Sequence, residues 1–241
     1  MRAGTIFSDI EHALSALDWW REAGVDVFVG DEPHDWLGRR RVAPAAPAPP
    51  QPAPAAVLPD TLADFQAWLA TSDDVPEARW GSGRIAPAGD PAAGLMIVTD
   101  LPDADDATDG RLLAGAPGRL FDRMLAAIGR TRETVYLAPL ASIRPVGGRI
   151  DEPSFVRLAA LMRHHVMLAR PGTLLLLGDA PNRALLGMGF VAARDRLHIV
   201  NHQGVKVNAV ASFHPRQLLR QPALKAEAWR DLMLLTGGSG L

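Results

Sequence analysis

The sequence predicts an α/β protein with helices on both faces of a central, mostly parallel sheet, a three-layer α/β/α sandwich. Beyond residue 60, short apolar runs alternate with longer segments of helical spacing, the order produced when crossover helices connect parallel strands. The runs GLMIVTD, TVYLAPL and GTLLLLG are apolar at nearly every position rather than at every second one, as in strands covered on both faces. With 241 residues and 48% hydrophobic content, the chain favours one main domain with appendages over two small units.

Taken in order, SDIEHALSALDWWREA (Ser8 to Ala23) places Ile10, Ala13, Leu14, Leu17 and Trp20 at helical spacing. Ser8 with Glu11 forms a capping-box pattern at its start, and Gly24 ends it. A short strand and turn are expected in VDVFVGDEPHDWLGRRR. The tract VAPAAPAPPQPAPAAVLP (Val42 to Pro59) lacks the donors and apolar bulk of a core, so it reads as an extended, semi-rigid linker. The expected organisation is therefore an N-terminal helical arm (1–41), a linker (42–59) and the α/β domain (60–241). In the arm, Trp19, Trp20 and Trp36 with Arg39, Arg40 and Arg41 suit docking on a protein partner, or folding back on the domain, better than nucleic-acid contact.

Within the domain, TLADFQAWLA reads as a helix and GLMIVTD (Gly94 to Asp100) as a buried strand running into an acidic loop. Helix APGRLFDRMLAAIG then precedes strand TVYLAPL, helix SFVRLAALMRHHVMLA precedes strand GTLLLLG, and helix DAPNRALLG precedes the apolar runs LHIV and VKVNAVA. Ligands bind beyond the carboxyl ends of strands in such sheets. That directs attention to three loops: DLPDADDATDG, APLASIRPVGG and SFHPRQLLR.

The chain has no cysteine, which excludes disulfides and thiolate-held zinc or iron-sulfur centres. No run approaches the roughly 20 apolar residues of a membrane span, and the first residues do not resemble a signal sequence, so a soluble, cytoplasmic protein is expected; it is also expected to be a monomer. A net charge of -2 conceals asymmetry: residues 1–110 carry 7 Lys/Arg against 19 Asp/Glu, and residues 111–241 carry 18 against 8. The basic half suits a phosphate backbone; it equally suits packing against the acidic half.

The same three loops carry a resemblance. VTDLPDADDATDGRLLAGAPGRLFDRML (Val98 to Leu125) is similar to a family pattern of Gly-Glu-Ala-Pro-Gly, an acidic spacer, Gly-Arg-Pro-Phe-Val-Gly and a Gly-x-Leu-Leu-Asp helix. VYLAPLASIRPV (Val135 to Val146) is similar to Val-Tyr-Ile-Thr-Asn-Val-Val-Lys-Cys-Arg-Pro-Pro, and RPGTLLLLG (Arg170 to Gly178) to Arg-Pro-Lys, a strand and Leu-Gly. FHPRQLLRQPALKAEAWRDL (Phe213 to Leu232) is similar to Tyr-His-Pro-Ser-x-Leu-Leu-Arg followed by Lys and Trp-x-Asp-Leu. Each element is weak alone, but four in order from Gly94 to Leu232 resemble the uracil-DNA glycosylase superfamily, specifically its family 4, iron-sulfur type.

The resemblance implies a uracil-DNA glycosylase-like α/β/α sandwich acting on DNA; the lack of cysteine leaves no cofactor and no metal expected in this chain. The family's cluster cysteines fall about where Ser72, Val75, Ile143 and Ala159 or Ala160 stand, all non-ligands. Packing around Ile143 and Ala159 should replace the cluster.

Glycosylase chemistry requires a flipped base, an amide to read its edge, an aromatic on its face, and stabilisation of the departing anion. The resemblance assigns water positioning to Asp100, one methylene shorter than the family's Glu, a change of about 1.5 Å in reach. It assigns His214 to donate a hydrogen bond to the leaving base. Leu101, Pro102, Leu113, Pro139 and Pro215 fall at substrate-contacting positions. Pro139 replaces the base-reading Asn and has no side-chain donor or acceptor; Leu113 replaces the stacking Phe. Tyr136 and Phe121 are neighbours able to stack, though both also suit the core. Arg216, in place of a phosphate-contacting Ser, and Arg220 are expected to hold phosphates.

Adjacent His164 and His165 point different ways on a helix and cannot chelate one metal; they read as surface or cap histidines. The run Asp100, Asp103, Asp105, Asp106 and Asp109 lacks EF-hand spacing and reads as a solvated loop. No phosphate-binding glycine fingerprint or Gly-x-Ser-x-Gly elbow is present. The expected function is DNA repair by hydrolysis of the N-glycosidic bond of a deaminated base; the alternative is a catalytically degenerate module that binds DNA or a protein partner.

Overall fold

A computed structural model describes residues 4–24, 58–202 and 204–237, which fall into two units, Met1–Ala53 and Pro54–Leu241. In the first unit, helix α1 spans Gly4–Glu22. It starts four residues before the expected Ser8 cap, because the backbone of Gly4 to Phe7 continues the helix and leaves Ser8 inside it. Gly24, at φ +82°, follows its last turn. Leu14, Leu17, Trp19 and Trp20 on this helix are exposed. The strand and turn expected in 25–41 and most of the linker lie outside the described residues.

The second unit contains a six-stranded sheet ordered β1-β3-β2-β4-β6-β5. Its strands are β1 (Ala88–Gly89), β2 (Leu95–Thr99), β3 (Tyr136–Pro139), β4 (Thr173–Leu177), β5 (Leu197–His202) and β6 (Val205–Ser212). The four central strands are parallel; the two edge pairings, β1 with β3 and β5 with β6, are antiparallel. Ile97 sits in register between Leu137 and Leu175, and all five β2 residues are buried. The uninterrupted apolar runs thus mark the strands with neighbours on both sides and helices on both faces.

Period-two alternation divides these side chains between two cores. Met96, Val98, Leu174 and Leu176 share one with Leu158 and Met162 of α5 (Glu152–Ala169) and Leu185 of α6 (Asp179–Leu186). Leu95, Ile97, Leu175 and Leu177 share the other with Phe121 and Leu125 of α4 (Gly115–Ala127) and Leu232 of α9 (Lys225–Leu235). Each such aliphatic side chain contributes about 1.5–3 kcal/mol by burial. Tyr136 and Phe121 belong to these cores.

Helix α2 (Leu62–Thr71) starts at Thr61, whose hydroxyl accepts the Asp64 N–H at 3.2 Å. Its Phe65 packs with Val75 and with Leu161 of α5 in a further apolar cluster. The positions aligned with cluster cysteines therefore do not fit an iron-sulfur centre. Val75 and Ala159 are buried in apolar packing, Ser72 and Ile143 are half-buried, and Ala160 is exposed.

Two local expectations are corrected. His165 is a core residue: it lies on the α5 face carrying Leu158, Leu161 and Met162, and its Nε2 meets the Tyr136 hydroxyl at 2.7 Å. Burial lowers its pKa to about 4. His164 is half-buried, with Nε2 at 2.8 Å from the Pro59 carbonyl. The acidic loop is also partly helical, as α3 (Ala104–Asp109), and Asp106 is buried. Its carboxylate accepts from the N–H groups of Asp103 at 3.1 Å and Ala114 at 2.7 Å, tying the loop to the start of α4.

Candidate functional site

From β2 the chain first adds β3 on one side and later returns to add β4 on the other. The carboxyl ends of β2 and β4 thus flank the point where strand order reverses, the place where open parallel sheets bind ligands. Asp100 follows β2, Gly178 follows β4, and His214 follows β6, the next strand across.

Gly178 brings the other two together. A β-carbon added there would lie in ordinary contact with both, 3.6 Å from the His214 Cβ and 3.8 Å from Asp100 Oδ2. Its φ of +94° also disfavours any side chain. Beneath it, the buried Asn182 amide donates to the Gly178 carbonyl at 2.5 Å.

His214 caps the short helix α8 (Pro215–Arg220), its Nδ1 accepting the Arg216 N–H at 3.1 Å. That bond assigns the ring proton to Nε2, which lies 3.1 Å from the Thr99 hydroxyl. Burial, reinforced by the Arg216 charge, lowers the His214 pKa to about 4. The ring is consequently a neutral Nε2–H donor at physiological pH. Asp100 Oδ1 lies 3.5 Å from that nitrogen, a carboxylate beside a neutral imidazole rather than an ion pair.

Burial raises the Asp100 pKa, opposed by the Arg216 charge, the Leu101 backbone N–H and the Arg144 charge. Oδ2 accepts from Arg216 at 3.0 Å, whereas Oδ1 is buried without a hydrogen-bond partner. Arg216 also pairs with Asp103. Its guanidinium is therefore turned onto two carboxylates, whereas the sequence places it on phosphate. Arg220 is exposed and has no ion pair among the described residues.

The other sequence-selected positions divide. Leu101, Pro102 and Pro215 are buried around the Asp100 and His214 loops. Leu113 is buried in the core cluster of Ile97 and Phe121. It also adopts a left-handed backbone at φ +50°, unusual for a branched residue. Its carbonyl accepts from Arg132 at 2.6 Å. Pro139 ends β3 and lines a cavity of about 50 Å³ with Leu140, Leu158, Glu77, His165 and Gln66. An amide does enter that cavity, but the Gln66 Nε2 is committed to the Tyr136 hydroxyl at 2.6 Å.

A model of the uracil DNA glycosylase superfamily matches residues 86–233. The chain belongs to the uracil DNA glycosylase superfamily. It is similar to a type-4 uracil-DNA glycosylase of Pyrobaculum aerophilum, 24% identical over 69% of this chain and 88% of the relative. A type-4 uracil-DNA glycosylase of Archaeoglobus fulgidus is 27% identical over 59% of this chain and 75% of its own. One from Saccharolobus solfataricus is 23% identical over 57% and 67%. This superfamily member has the mostly parallel sheet with helices around it and contains no cysteine.

Sequence reasoning missed four contributors: Thr99, Asp103, Arg144 and Gly178. Only Gly178 carries a local signal, a lone glycine between an apolar strand and a helix. Asp103 and Arg144 acquire significance only when distant loops meet. Among the described residues, no group of three His or carboxylate side chains could hold a metal ion, and none of the described helices is long and apolar enough to cross a membrane.

Proposed function

We propose that the protein is a DNA-repair glycosylase that hydrolyses the N-glycosidic bond of a deaminated base. The observation that carries this reading is the meeting of Asp100 with a neutral, Nε2-protonated His214 across the bare backbone of Gly178. Asp100 orients a water whose oxygen bonds to the sugar's anomeric carbon, and takes up its proton. The carbon–nitrogen bond breaks with its electrons going to the base. His214 Nε2–H then donates a hydrogen bond to the base oxygen where charge gathers, without having to transfer its proton. Arg220 follows the phosphate backbone, in a monomeric, cytoplasmic protein whose arm and linker precede the domain.

A second reading is a degenerate module that binds DNA or a protein partner. Pro139 favours it, since no side-chain amide occupies the base-reading position, and so does the Arg216 cover on Asp100. Single- and double-stranded oligonucleotides carrying uracil or other deaminated bases separate the two. Alkali-labile breaks made by the wild type and absent with Asp100→Ala and His214→Ala support the enzyme. Equal background from all three, with salt-sensitive DNA binding intact, overturns catalysis and leaves the binding module.

A further inference from the structure

Neither oxygen of Asp100 is open to a water. Oδ2 is covered by Arg216 at 3.0 Å, and Oδ1 is buried against the His214 ring. A general base needs hydrogen-bond reach to the proton it accepts, so this arrangement is a resting one. Arg216 is held there by a second carboxylate, Asp103, with which it makes its other ion pair.

From this geometry we propose that Asp103 is a positioning residue that parks Arg216 across Asp100, and that a DNA phosphate draws Arg216 away and uncovers Asp100 only when nucleic acid is bound. This rests on reading Asp100 as the water-positioning group and DNA as the substrate. Three features make the exchange feasible. Arg216 lies in the first turn of α8, two residues beyond His214, and its side chain is partly exposed on a long, flexible stem. A guanidinium satisfied by a carboxylate is equally suited to the planar, charge-assisted grip of a phosphate. Asp103 is not stranded by the departure, because Arg144 already approaches its Oδ1 at 3.5 Å while donating to the Pro102 carbonyl at 3.2 Å.

Asp100, in contrast, loses its nearest cation. Burial then acts on the carboxylate with less opposition, and a carboxylate with higher affinity for protons is a better acceptor from water. One side chain thereby couples occupancy of the DNA groove to readiness of the base.

The test is a double-mutant cycle on DNA affinity, using the full chain and a duplex with a non-hydrolysable abasic-site analogue, titrated at several salt concentrations. The four proteins are wild type, Asp103→Asn, Arg216→Gln and the double variant. Asparagine remains a good helix cap at position 103, and thermal melting of each protein checks the fold. Asp103→Asn should tighten binding about two- to tenfold with Arg216 present, the size of coupling between groups in contact, and by less than that in the Arg216→Gln background. Arg216→Gln should reduce the log–log salt slope by about one. Equal tightening by Asp103→Asn in both backgrounds means a general field effect and overturns the exchange, leaving the glycosylase reading standing. No DNA binding by any of the four at low salt sinks both.

Discussion

The ends of β2 and β6 and the end of β3 lie along one edge of a single parallel array, yet their chemistry is opposite. At the first, Asp100, His214, Arg216 and Asp103 form a dense set of partly desolvated charges and dipoles around Gly178. At the second, Pro139 closes an apolar cavity whose polar groups are turned inward, Gln66 to Tyr136 and Tyr136 to His165. On the reading proposed above, machinery for breaking a glycosidic bond and machinery for choosing the base are separable, the first lying at the ends of β2 and β6 and the second at the end of β3.

The largest expected effects are on bond cleavage. Asp100→Ala should lower single-turnover cleavage about 10²–10⁴-fold, and His214→Ala about 10²–10³-fold, with DNA affinity preserved to within a few-fold in both. A His214→Ala variant that cleaves normally would dissolve the contrast between the two strand ends. Next in size is Pro139→Asn, which restores an amide at the end of β3. It should raise discrimination for uracil over cytosine by about tenfold or more, measured as a ratio of kcat/KM values. An unchanged ratio would show that the cavity does not face the flipped base.

Stability should depend on pH through the two buried histidines. His165 and His214 have folded-state pKa values near 4 against 6.5 when unfolded, so the unfolded chain binds more protons between those limits. Their neutral burial is fully favourable above pH 6.5 and is lost as pH falls towards 4, so Tm should drop over that window. Asp100 and Asp231, whose pKa values burial raises, act in the opposite sense above their unfolded value of 3.8. His165→Leu should flatten the profile; an unchanged slope would remove His165 from the account. The smallest effect is expected of Arg220→Ala, a decrease of about one in the salt slope of DNA binding with the cleavage step intact.

Much of this was legible before the structure. Strands buried on both faces announce themselves as unbroken apolar runs, and the order of strands and helices leaves few topologies. The placement of Asp100 and His214 near strand ends was legible because each stands in a loop that follows an apolar run. His165 was available and misread: it continues the spacing of Leu158, Leu161 and Met162 that marks the buried face of α5. Helix α3 was less accessible, since ADDATD has no apolar face and its anchor, the Asp106 bond to Ala114, is made eight residues away. The direction of Arg216 could not be read locally at all. A guanidinium next to a candidate active site suits phosphate and carboxylate equally, and only the approach of the Asp103 loop, more than a hundred residues earlier, decides between them.

The packing of Phe65, Val75 and Leu161 alters what the domain requires in order to exist. Where a metal centre ties two helices together, assembly waits on iron delivery and the product stays vulnerable to oxidation of its thiolates. Here the contact between α2 and α5 closes by exclusion of water from hydrocarbon. It should therefore refold from denaturant in the presence of chelators and in air, and weaken, if anywhere, in the cold.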